Sequence, residues 1–328
     1  MILAGIDIGT LTCRLLIANL SSDGQLTELH AERRLLRLGE GVDRHRTLHP
    51  AAMARAVETL KAWRQMIGAY RVDREIAVAT SAVRDASNRE EFLALVKRET
   101  GFSVEIISGE EEARRTLLGI RSGLPSGTGD VLALDIGGGS TECIVDRLGE
   151  VPIIRSFDIG AVRLTERCLT HDPPTPREVE AAKDLVRASM EEVKPILQHL
   201  DGTVCVGTAG TITTIAAMVQ RLRTCDHAHI HLYRLNLPDI VQLERELLST
   251  TQVERRGMPG LESGREEVIV AGVIILSTAM NSLGLSNCLV SDYGLREGLL
   301  LDVAKRVRHD GPSNTTDCPV VAAPVHEP

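Results

Sequence analysis

Short apolar runs and amphipathic segments alternate along the first part of the chain, which is typical of α/β proteins. The apolar runs predict strands at residues 3–8, 15–20, 76–79 and 104–107. Apolar residues near helical spacing predict helices at 50–69, 89–99 and 110–121. Ser108 stands directly before the last of these helices, where a serine hydroxyl can accept a hydrogen bond from a first-turn amide.

A glycine-rich segment at 123–129 ends this pattern, and a second pattern follows it. The later strands are predicted at 131–136, 142–146, 203–206 and 286–290, and the later helices at 176–199, 239–249, 265–283 and from Gly294 to about Val307. We therefore expect two domains, 1–124 and 125–308. The remaining residues, 309–328, contain four prolines and little periodicity, so we expect a disordered tail.

One short motif occurs in both halves of the chain. Asp-Ile-Gly, followed by small residues and a threonine, appears at 7–12 and again at 135–141. Each copy lies between an apolar strand and a second strand. This shared context predicts two related α/β halves that face one another, each of which offers a glycine turn to the same ligand.

The charge and the apolar content restrict the classes of partner. A net charge of −8 argues against a general nucleic-acid coat, and three Phe, three Tyr and one Trp are too few for a base-stacking platform. No apolar run approaches the roughly 18 residues that a membrane span needs, and the N-terminus lacks the basic region of a signal peptide. We expect a cytoplasmic protein that binds neither membranes nor nucleic acid.

The cysteines and histidines give no clear metal-site pattern. The seven cysteines are scattered and form no Cys-x-x-Cys pair, so we expect reduced and mostly buried thiols. His227, His229 and His231 alternate and would share one face of a strand, but the companion ligands of a metal site are not evident nearby.

Glycine and small hydroxyl residues at strand ends suit a phosphate ligand, because backbone amides can converge on an oxygen where no side chain intervenes. Three such turns occur, the third at 207–211. The phosphate-binding candidates in these turns are Gly9, Thr10, Thr12, Gly137, Gly138, Gly139, Ser140, Thr141, Gly207, Thr208, Gly210 and Thr211.

Charged residues lie close to these turns. Asp7 and Asp135 stand at the edges of two glycine turns, and Glu142 closes the second. A carboxylate beside a phosphate is repelled unless a cation bridges them, so we expect Mg²⁺, or another divalent cation, at these three residues. The candidates to grip non-bridging oxygens are Arg14, Arg84 and Arg114.

Three glutamates, Glu110 to Glu112, open a predicted helix. Glutamates favour the positive end of a helix dipole, which explains the run without any catalytic role. Successive helical residues point about 100° apart, so at most one or two of the three can face a cleft.

Several stretches resemble the exopolyphosphatase/guanosine pentaphosphate phosphohydrolase (Ppx/GppA) family, within the actin, sugar-kinase and chaperone ATPase superfamily. The likeness extends from about Leu3 to Val307. The matching stretches are 134–142 (LDIGGGSTE), 105–114 (EIISGEEEAR), 207–214 (GTAGTITT), 293–298 (YGLREG), 80–84 (TSAVR) with Asn88 and Phe92, and 160–163 (GAVR). The resemblance implies a duplicated actin-like, ribonuclease H-like α/β fold with two lobes around a phosphate-binding cleft.

The resemblance also implies roles for individual residues. The glutamate immediately before Ala-Arg is the family's catalytic base, which corresponds to Glu112. Asp135 would hold the divalent cation with support from Glu142, and Arg84 would grip phosphate. The chain departs from the family at the first turn, where the usual Gly-Ser-Asn-Ser is Gly-Thr-Leu-Thr and Leu11 replaces the asparagine amide. The chain stops near residue 308 before a loose tail, and it therefore resembles the short family members, which have two actin-like domains and no C-terminal helical domain.

These features together predict a hydrolase of phosphoric anhydride bonds that releases terminal orthophosphate. The substrate would be inorganic polyphosphate, guanosine pentaphosphate (pppGpp, converted to ppGpp), or both. Two alternatives stay open: a kinase or ATPase that binds ATP through 207–214, and a non-catalytic sensor for which (p)ppGpp is a ligand. The sequence does not decide between a monomer and a homodimer.

Overall fold

The computed structural model describes residues 1–197, 202–223 and 227–310, which form two lobes around two mixed β-sheets. The first sheet contains β1 (Ile2–Ile8), β2 (Thr12–Leu20), β3 (Leu26–Leu35), β4 (Arg74–Ala79) and β5 (Val104–Ile106). The second contains β6 (Val131–Ile136), β7 (Thr141–Asp146), β8 (Ile153–Phe157), β9 (Val204–Thr208), β10 (Arg234–Asn236) and β11 (Asn287–Val290).

The two sheets share one topology. The first has the order β3-β2-β1-β4-β5, and the second, taken from its β8 edge, has the order β8-β7-β6-β9-β11-β10. In each, the strand that carries Asp-Ile-Gly pairs antiparallel with the next strand and parallel with the one on its other side. The structure therefore confirms the related halves that the repeated motif predicts, with β10 as an addition to the second.

The helices cover the two sheets. They are α1 (Val42–His45), α2 (Pro50–Ala69), α3 (Ser81–Asp85), α4 (Arg89–Thr100), α5 (Gly109–Gly123), α6 (Ala161–Cys168), α7 (Pro176–Val193), α8 (Ala209–Val219), α9 (His227–Ile230), α10 (Leu237–Leu248), α11 (Gln252–Arg255), α12 (Ile269–Ser282) and α13 (Leu295–Asp310), and a 3₁₀ turn (Lys194–Leu197) follows α7. No helix within the described ranges is long and apolar enough to cross a membrane.

The predicted elements are present, with three kinds of difference. Helix α12 begins at Ile269 rather than at 265, and Arg265, which precedes the helix, pairs with Glu262. The predicted elements do not include strands β3, β8 and β10 or helices α1, α3, α6, α8, α9 and α11. In β3 the side chains are mostly exposed or half-buried and show no apolar alternation. Of the helix predicted at 176–199 and the tail predicted at 309–328, residues 198–199 and 311–328 lie outside the described residues, whereas 309–310 complete α13.

Two helices pack against the sheet of the opposite half. Helix α5 precedes the predicted boundary, yet its Leu117 and Ile120 pack against Val131 of the second sheet. Helix α13 closes the second half, yet its Leu300 packs against Leu3 of the first sheet. The boundary at 124/125 therefore separates the sheets but not the helices that cover them.

Helices α5 and α13 also cross very closely at two glycines. A Cβ atom on Gly298 would overlap the carbonyl oxygen of Arg115, and one on Gly119 would overlap the carbonyl oxygen of Gly294. Neither site has room for a side chain because backbone lies directly opposite each glycine. Glycine is therefore required where α5 and α13, which each pack on the sheet of the opposite half, meet.

We expect Gly298→Ala to lower the free energy of unfolding by about 1–3 kcal/mol, because the added methyl group forces the backbones of α5 and α13 apart. Gly68→Ala is the matched control: Gly68 is an exposed glycine of α2, where an added methyl group would meet no atom within 4 Å. That change should stabilise the helix by about 0.5–1 kcal/mol. Urea unfolding of both variants measures the difference, and equal midpoints would contradict the close crossing.

Candidate active site

A cleft lies between the lobes, at the carboxyl ends of β1, β4, β6 and β9. Ligands of open α/β sheets bind outside the carboxyl ends of strands, since the polar loops converge there. The predicted residues that line this cleft are Asp7, Gly9, Thr10, Thr12, Arg14, Glu112, Asp135, Gly137, Gly138, Gly139, Ser140, Thr208, Gly210 and Thr211.

The first two glycine turns have the same internal geometry. The amide of Gly9 donates to the carbonyl of Thr12 at 3.0 Å, and the amide of Gly137 donates to the carbonyl of Ser140 at 3.0 Å. Each hydrogen bond closes a tight turn between two antiparallel strands. The repeated sequence is therefore a repeated backbone structure.

These two turns also contact each other across the cleft. A Cβ atom on Gly139 would overlap the hydroxyl of Ser81, and one on Gly138 would lie 3.0 Å from Cβ of Thr10. The hydroxyls of Thr10 and Ser81 lie 2.8 Å apart, within hydrogen-bonding distance. Glycine at 138 and 139 is needed because the opposite lobe occupies the space of a side chain.

The third turn places a helix N-terminus and two arginines at the cleft. Ala209 begins α8 with a φ of 71°, a left-handed conformation that is strained for a residue other than glycine. A Cβ atom on Gly210 would overlap a guanidinium nitrogen of Arg265 and would lie 2.8 Å from one of Arg14. The missing side chain therefore lets two cations approach the helix N-terminus, where an anion is favoured.

Arg14 lies on β2 directly across from Asp7 on β1. Its side chain makes no hydrogen bond or ion pair to any described residue, although it lines the cleft. Burial, together with the nearby Arg296, lowers the pKa of Arg14. A desolvated cation of this kind is well suited to bind an anionic ligand.

Four carboxylates lie in and behind the cleft: Asp7, Asp135, Glu142 and Glu112, the last of which belongs to the glutamate run of α5. Burial raises the pKa of Asp7 to about 6 and that of Glu142 to about 8, and it also raises the pKa of Asp135. Thr116 donates a hydrogen bond to Asp135 at 3.2 Å, and Ser156 donates one to Glu142 at 2.8 Å. Oδ1 of Asp7 is buried and accepts no hydrogen bond.

The glutamate run at the start of α5 divides into three environments. Glu110 is exposed, and Glu111 pairs with Arg114 and Arg115, which holds its pKa at about 2. Glu112 faces the cleft, where its buried Oε2 accepts no hydrogen bond and lies 3.5 Å from Nη1 of Arg84. Burial, followed by repulsion from Glu142, raises the pKa of Glu112 well above its usual range.

Other predicted residues lie behind the cleft wall. Arg84 donates to the carbonyl of Ile107 at 2.8 Å as well as pairing with Glu112. The hydroxyl of Thr141 donates to the carbonyl of Ile159, and Gly207 packs against Cys288 and Ile212.

Arg114 lies outside the cleft and pairs with Glu111 and Asp302. Thr208 lines the cleft, but its hydroxyl donates to the carbonyls of Ser291 and Tyr293.

The sequence reasoning missed several cleft residues. Ser81 and Arg296 lie inside stretches that resemble the family, at 80–84 and 293–298, so the motifs could have indicated them. Arg265 had no such signal because it stands within a segment that the apolar spacing predicts as helix. The other unpredicted residues of the wall are Leu11, Thr80, Ile136, Ala161, Ala209, Asp292, Gly294, Leu295 and Glu297.

The alternating histidines form no strand. His227 to Ile230 form α9, and His227 stacks on His231, the residue after this helix, with the ring centroids 5.1 Å apart. Asp292 lies 2.8 Å from His227, and the carbonyl of Gly123 lies 2.9 Å from His231. Of the cysteines, Cys13, Cys143, Cys168, Cys205 and Cys288 are free thiols, and Cys225 and Cys318 lie outside the described residues.

The carboxylates of Asp135 and Asp7 fit a cation that takes only one or two ligands from the protein. Within the part of the chain that the structure describes, no three His, Cys, Asp or Glu side chains are grouped to hold a metal by themselves. Mg²⁺ commonly takes only one or two protein carboxylates and completes its shell with water and phosphate oxygens. Asp135 and the unpartnered Oδ1 of Asp7 both line the cleft and provide such oxygens.

We expect Gly139→Ala to lower the rate of the cleft's reaction by about 10–100-fold, since the new methyl group would displace Ser81 and push the two glycine turns apart. The double variant Gly139→Ala with Ser81→Gly should recover part of that loss, because it removes the Ser81 side chain that the new methyl group would overlap. Steady-state kinetics of both variants measures the effect. Wild-type rates in the single variant would show that the turns do not meet as described.

Comparisons with known proteins agree with this geometry. Residues 17–307 match the model of the Ppx/GppA phosphatase family. Exopolyphosphatase 2 of Mycobacterium tuberculosis is 36% identical over 92% of this chain and 98% of its own length. The guanosine-5'-triphosphate,3'-diphosphate pyrophosphatase of Aeromonas hydrophila is 29% identical, over 90% of this chain but only 58% of its own length.

Solved structures show the same fold. The Ppx/GppA family member of Aquifex aeolicus is 34% identical with a TM-score of 0.79, over 93% of this chain and 98% of its own. An exopolyphosphatase of Cytophaga hutchinsonii is 30% identical with a TM-score of 0.86, over 94% of this chain and 99% of its own. The predicted fold class is confirmed, and so is a hydrolase of phosphoanhydride bonds at the level of the family. The chain belongs to the Ppx/GppA phosphatase family.

Proposed function

We propose that this protein releases terminal orthophosphate from inorganic polyphosphate, with the conversion of pppGpp to ppGpp as its second reaction. The observation that carries the proposal is the position of Glu112: its buried Oε2, which accepts no hydrogen bond, belongs to the same cleft as the two glycine turns. A phosphoryl group held by the turns would lie beside a base able to activate water. Such an arrangement suits hydrolysis.

The relatives support polyphosphate as the first substrate. The chain spans 98% of the Mycobacterium tuberculosis protein that is named an exopolyphosphatase, but 58% of the Aeromonas hydrophila protein that is named for a guanosine nucleotide. The cleft itself contains no aromatic side chain among its described lining residues. A phosphate chain needs no such ring, whereas a nucleobase commonly stacks on one.

The chain's own residues would divide the work of binding. Backbone amides of the turns at 9–12 and 137–141 would hold the oxygens of the terminal phosphoryl group. Arg14 and Arg265, which flank Gly210, would offset the charge of that group or of the next phosphate. The strained start of α8 at Ala209 would direct further amides at the same anion.

Asp135 would hold the divalent cation, with Asp7 beside it and Glu142 behind. Burial raises the pKa of all three carboxylates, and repulsion by Asp135 raises the pKa of Asp7 and Glu142 further. A positive ion would relieve both effects. A bound Mg²⁺ would neutralise charge that develops on the phosphoryl oxygens. Thr116, through its hydrogen bond, would keep the Asp135 carboxylate oriented.

Glu112 would take the proton from the attacking water. Its pKa is raised by burial and by the neighbouring acids, which strengthens it as a base once it is ionised. Arg84, 3.5 Å from Oε2, would hold the carboxylate in place and keep it charged. Oε2 of Glu112 accepts no hydrogen bond from the described residues, so it is available to a water molecule.

We expect Glu112→Gln to lower kcat for phosphate release by about 100-fold or more, because glutamine cannot accept the proton. Glu110→Gln is the matched control on the same helix turn, and its exposed side chain should leave the rate unchanged. Phosphate release from polyphosphate and from pppGpp, with circular dichroism as the folding check, measures both. Near wild-type turnover in folded Glu112→Gln would refute this assignment.

We expect removal of divalent cations by a chelator to lower phosphate release by about 100-fold or more, and added Mg²⁺ to restore it, since the buried carboxylates repel phosphate without a cation. Asp135→Asn should show the same loss and should not recover at any Mg²⁺ concentration that restores the wild type. Full activity in the chelator would contradict a role for the cation.

A further inference from the structure

Arg163, on α6 of the second lobe, is almost fully buried where the two lobes meet. Its Nε donates to the carbonyl of Gly139 at 2.8 Å, within its own lobe. Its Nη1 donates to Asp43 at 2.9 Å, and its Nη2 donates to Asp85, both of which belong to the first lobe. All three nitrogens are therefore engaged, and they join one glycine turn to the opposite lobe.

The start of α6 is fastened to that turn through the backbone as well. The amide of Ala161 donates to Gly137 at 3.0 Å, and that of Val162 donates to Gly138 at 2.8 Å. A Cβ atom on Gly160 would overlap the backbone of Gly138, so the helix and the turn are in direct contact. Any movement of α6 must therefore be transmitted to the second glycine turn.

Asp85, which accepts the hydrogen bond from Arg163 in the first lobe, is also close to the cleft. Asp85 is the last residue of α3, which also carries Ser81 and Arg84. Ser81 lies on the cleft wall and contacts Thr10, while Arg84 pairs with Glu112. Arg163 thus connects the turn of one lobe to the helix that positions two site residues of the other.

Neighbouring contacts reinforce the same junction. Arg167 donates to both oxygens of Asp43 at 2.7 Å, which with Arg163 holds the pKa of Asp43 below its usual value. The amide of Gly41 donates to Glu166 at 2.8 Å. Beside them, Leu11 of the first turn packs against Ala161, Val162 and Val268. Leu11 therefore contributes an apolar contact between the lobes.

The geometry points to Arg163 as a positioning residue: it clamps the two lobes together and holds the second glycine turn and α3 at the spacing that the reaction needs. A planar guanidinium donates to one carbonyl and two carboxylates from three separate nitrogens, whereas lysine offers a single nitrogen and methionine offers no donor. Without it, Asp85 would lose its ion pair and Asp43 would keep only Arg167. The clamp itself is independent of the substrate, whereas its kinetic consequence rests on the proposed function.

The test compares Arg163→Met with Arg187→Met in the full-length chain. Arg187 lies on the exposed face of α7 and pairs there with Glu180 and Asp184, so its loss controls for the removal of an arginine. Small-angle scattering should show a larger radius of gyration for Arg163→Met alone. Its kcat for phosphate release from polyphosphate should fall by about 100-fold, the scale expected when reacting groups are displaced by about 1 Å.

Variants on the opposite lobe separate a clamp from a general loss of stability. Asp85→Asn and Asp43→Asn should each lower kcat in part, and Arg163→Lys should retain more activity than Arg163→Met. In the double variant Arg163→Met with Asp85→Asn, the loss should match that of Arg163→Met alone, since the same contact is already broken. If Arg163→Met does not fold, the paired aspartate variants supply the same comparison.

The proposal fails if Arg163→Met keeps kcat within about twofold and the wild-type scattering curve, or if the effects of Arg163 and Asp85 simply add. A wild-type protein that releases no phosphate would refute the proposed function. Scattering of the same variants would then still decide whether Arg163 clamps the lobes.

Discussion

The cleft depends on one close contact, in which the second glycine turn lies directly against the first with no space for a side chain between them. Gly138 and Gly139 meet Thr10 and Ser81 of the other lobe. Amides from both turns can converge on one phosphoryl group only at such a separation. The strand topology of each lobe places its turn at the carboxyl edge of a sheet, but it does not set the distance between the two edges.

That distance is maintained from two sides. On one side, α5 and α13 each cross to the opposite sheet and meet at Gly119 and Gly298, where backbone contacts backbone. On the other side, α6 contacts the first lobe through Arg163 and through the apolar cluster around Leu11. The helix pair is rigid because it is packed, whereas the α6 junction is held largely by ion pairs that can be broken and remade.

The chemistry of the cleft follows from uncompensated charge. Burial raises the pKa of Asp7, Asp135, Glu142 and Glu112, and repulsion by neighbouring acids adds to the effect in Asp7, Glu142 and Glu112. Arg14 lies among them without an ion pair among the described residues. Such a set of charges is costly to bury by itself, and a cation together with an anionic chain would compensate both signs. This imbalance is the physical reason to regard the cleft as a phosphate site rather than as a structural interface.

Local features of the sequence were sufficient to predict much of this. The apolar runs, the N-cap Ser108 and the repeated Asp-Ile-Gly turns each depend on residues close together in the chain, and the structure has all three. The run of three glutamates could not be resolved from neighbouring residues alone. Helical geometry limited how many of Glu110, Glu111 and Glu112 could face a cleft, but the choice of Glu112 came from the family resemblance, and the structure places it there.

By itself, then, the sequence determined many of the elements, their duplication and the turns that suit phosphate, because periodicity and turn chemistry act over a few residues. Only the tertiary structure decided which elements meet. The exchange of α5 and α13 between the sheets, the approach of Arg265 to Gly210 and the reach of Arg163 to Asp43 and Asp85 all join residues far apart in the chain. No local pattern specifies such contacts, since they depend on how two complete lobes pack.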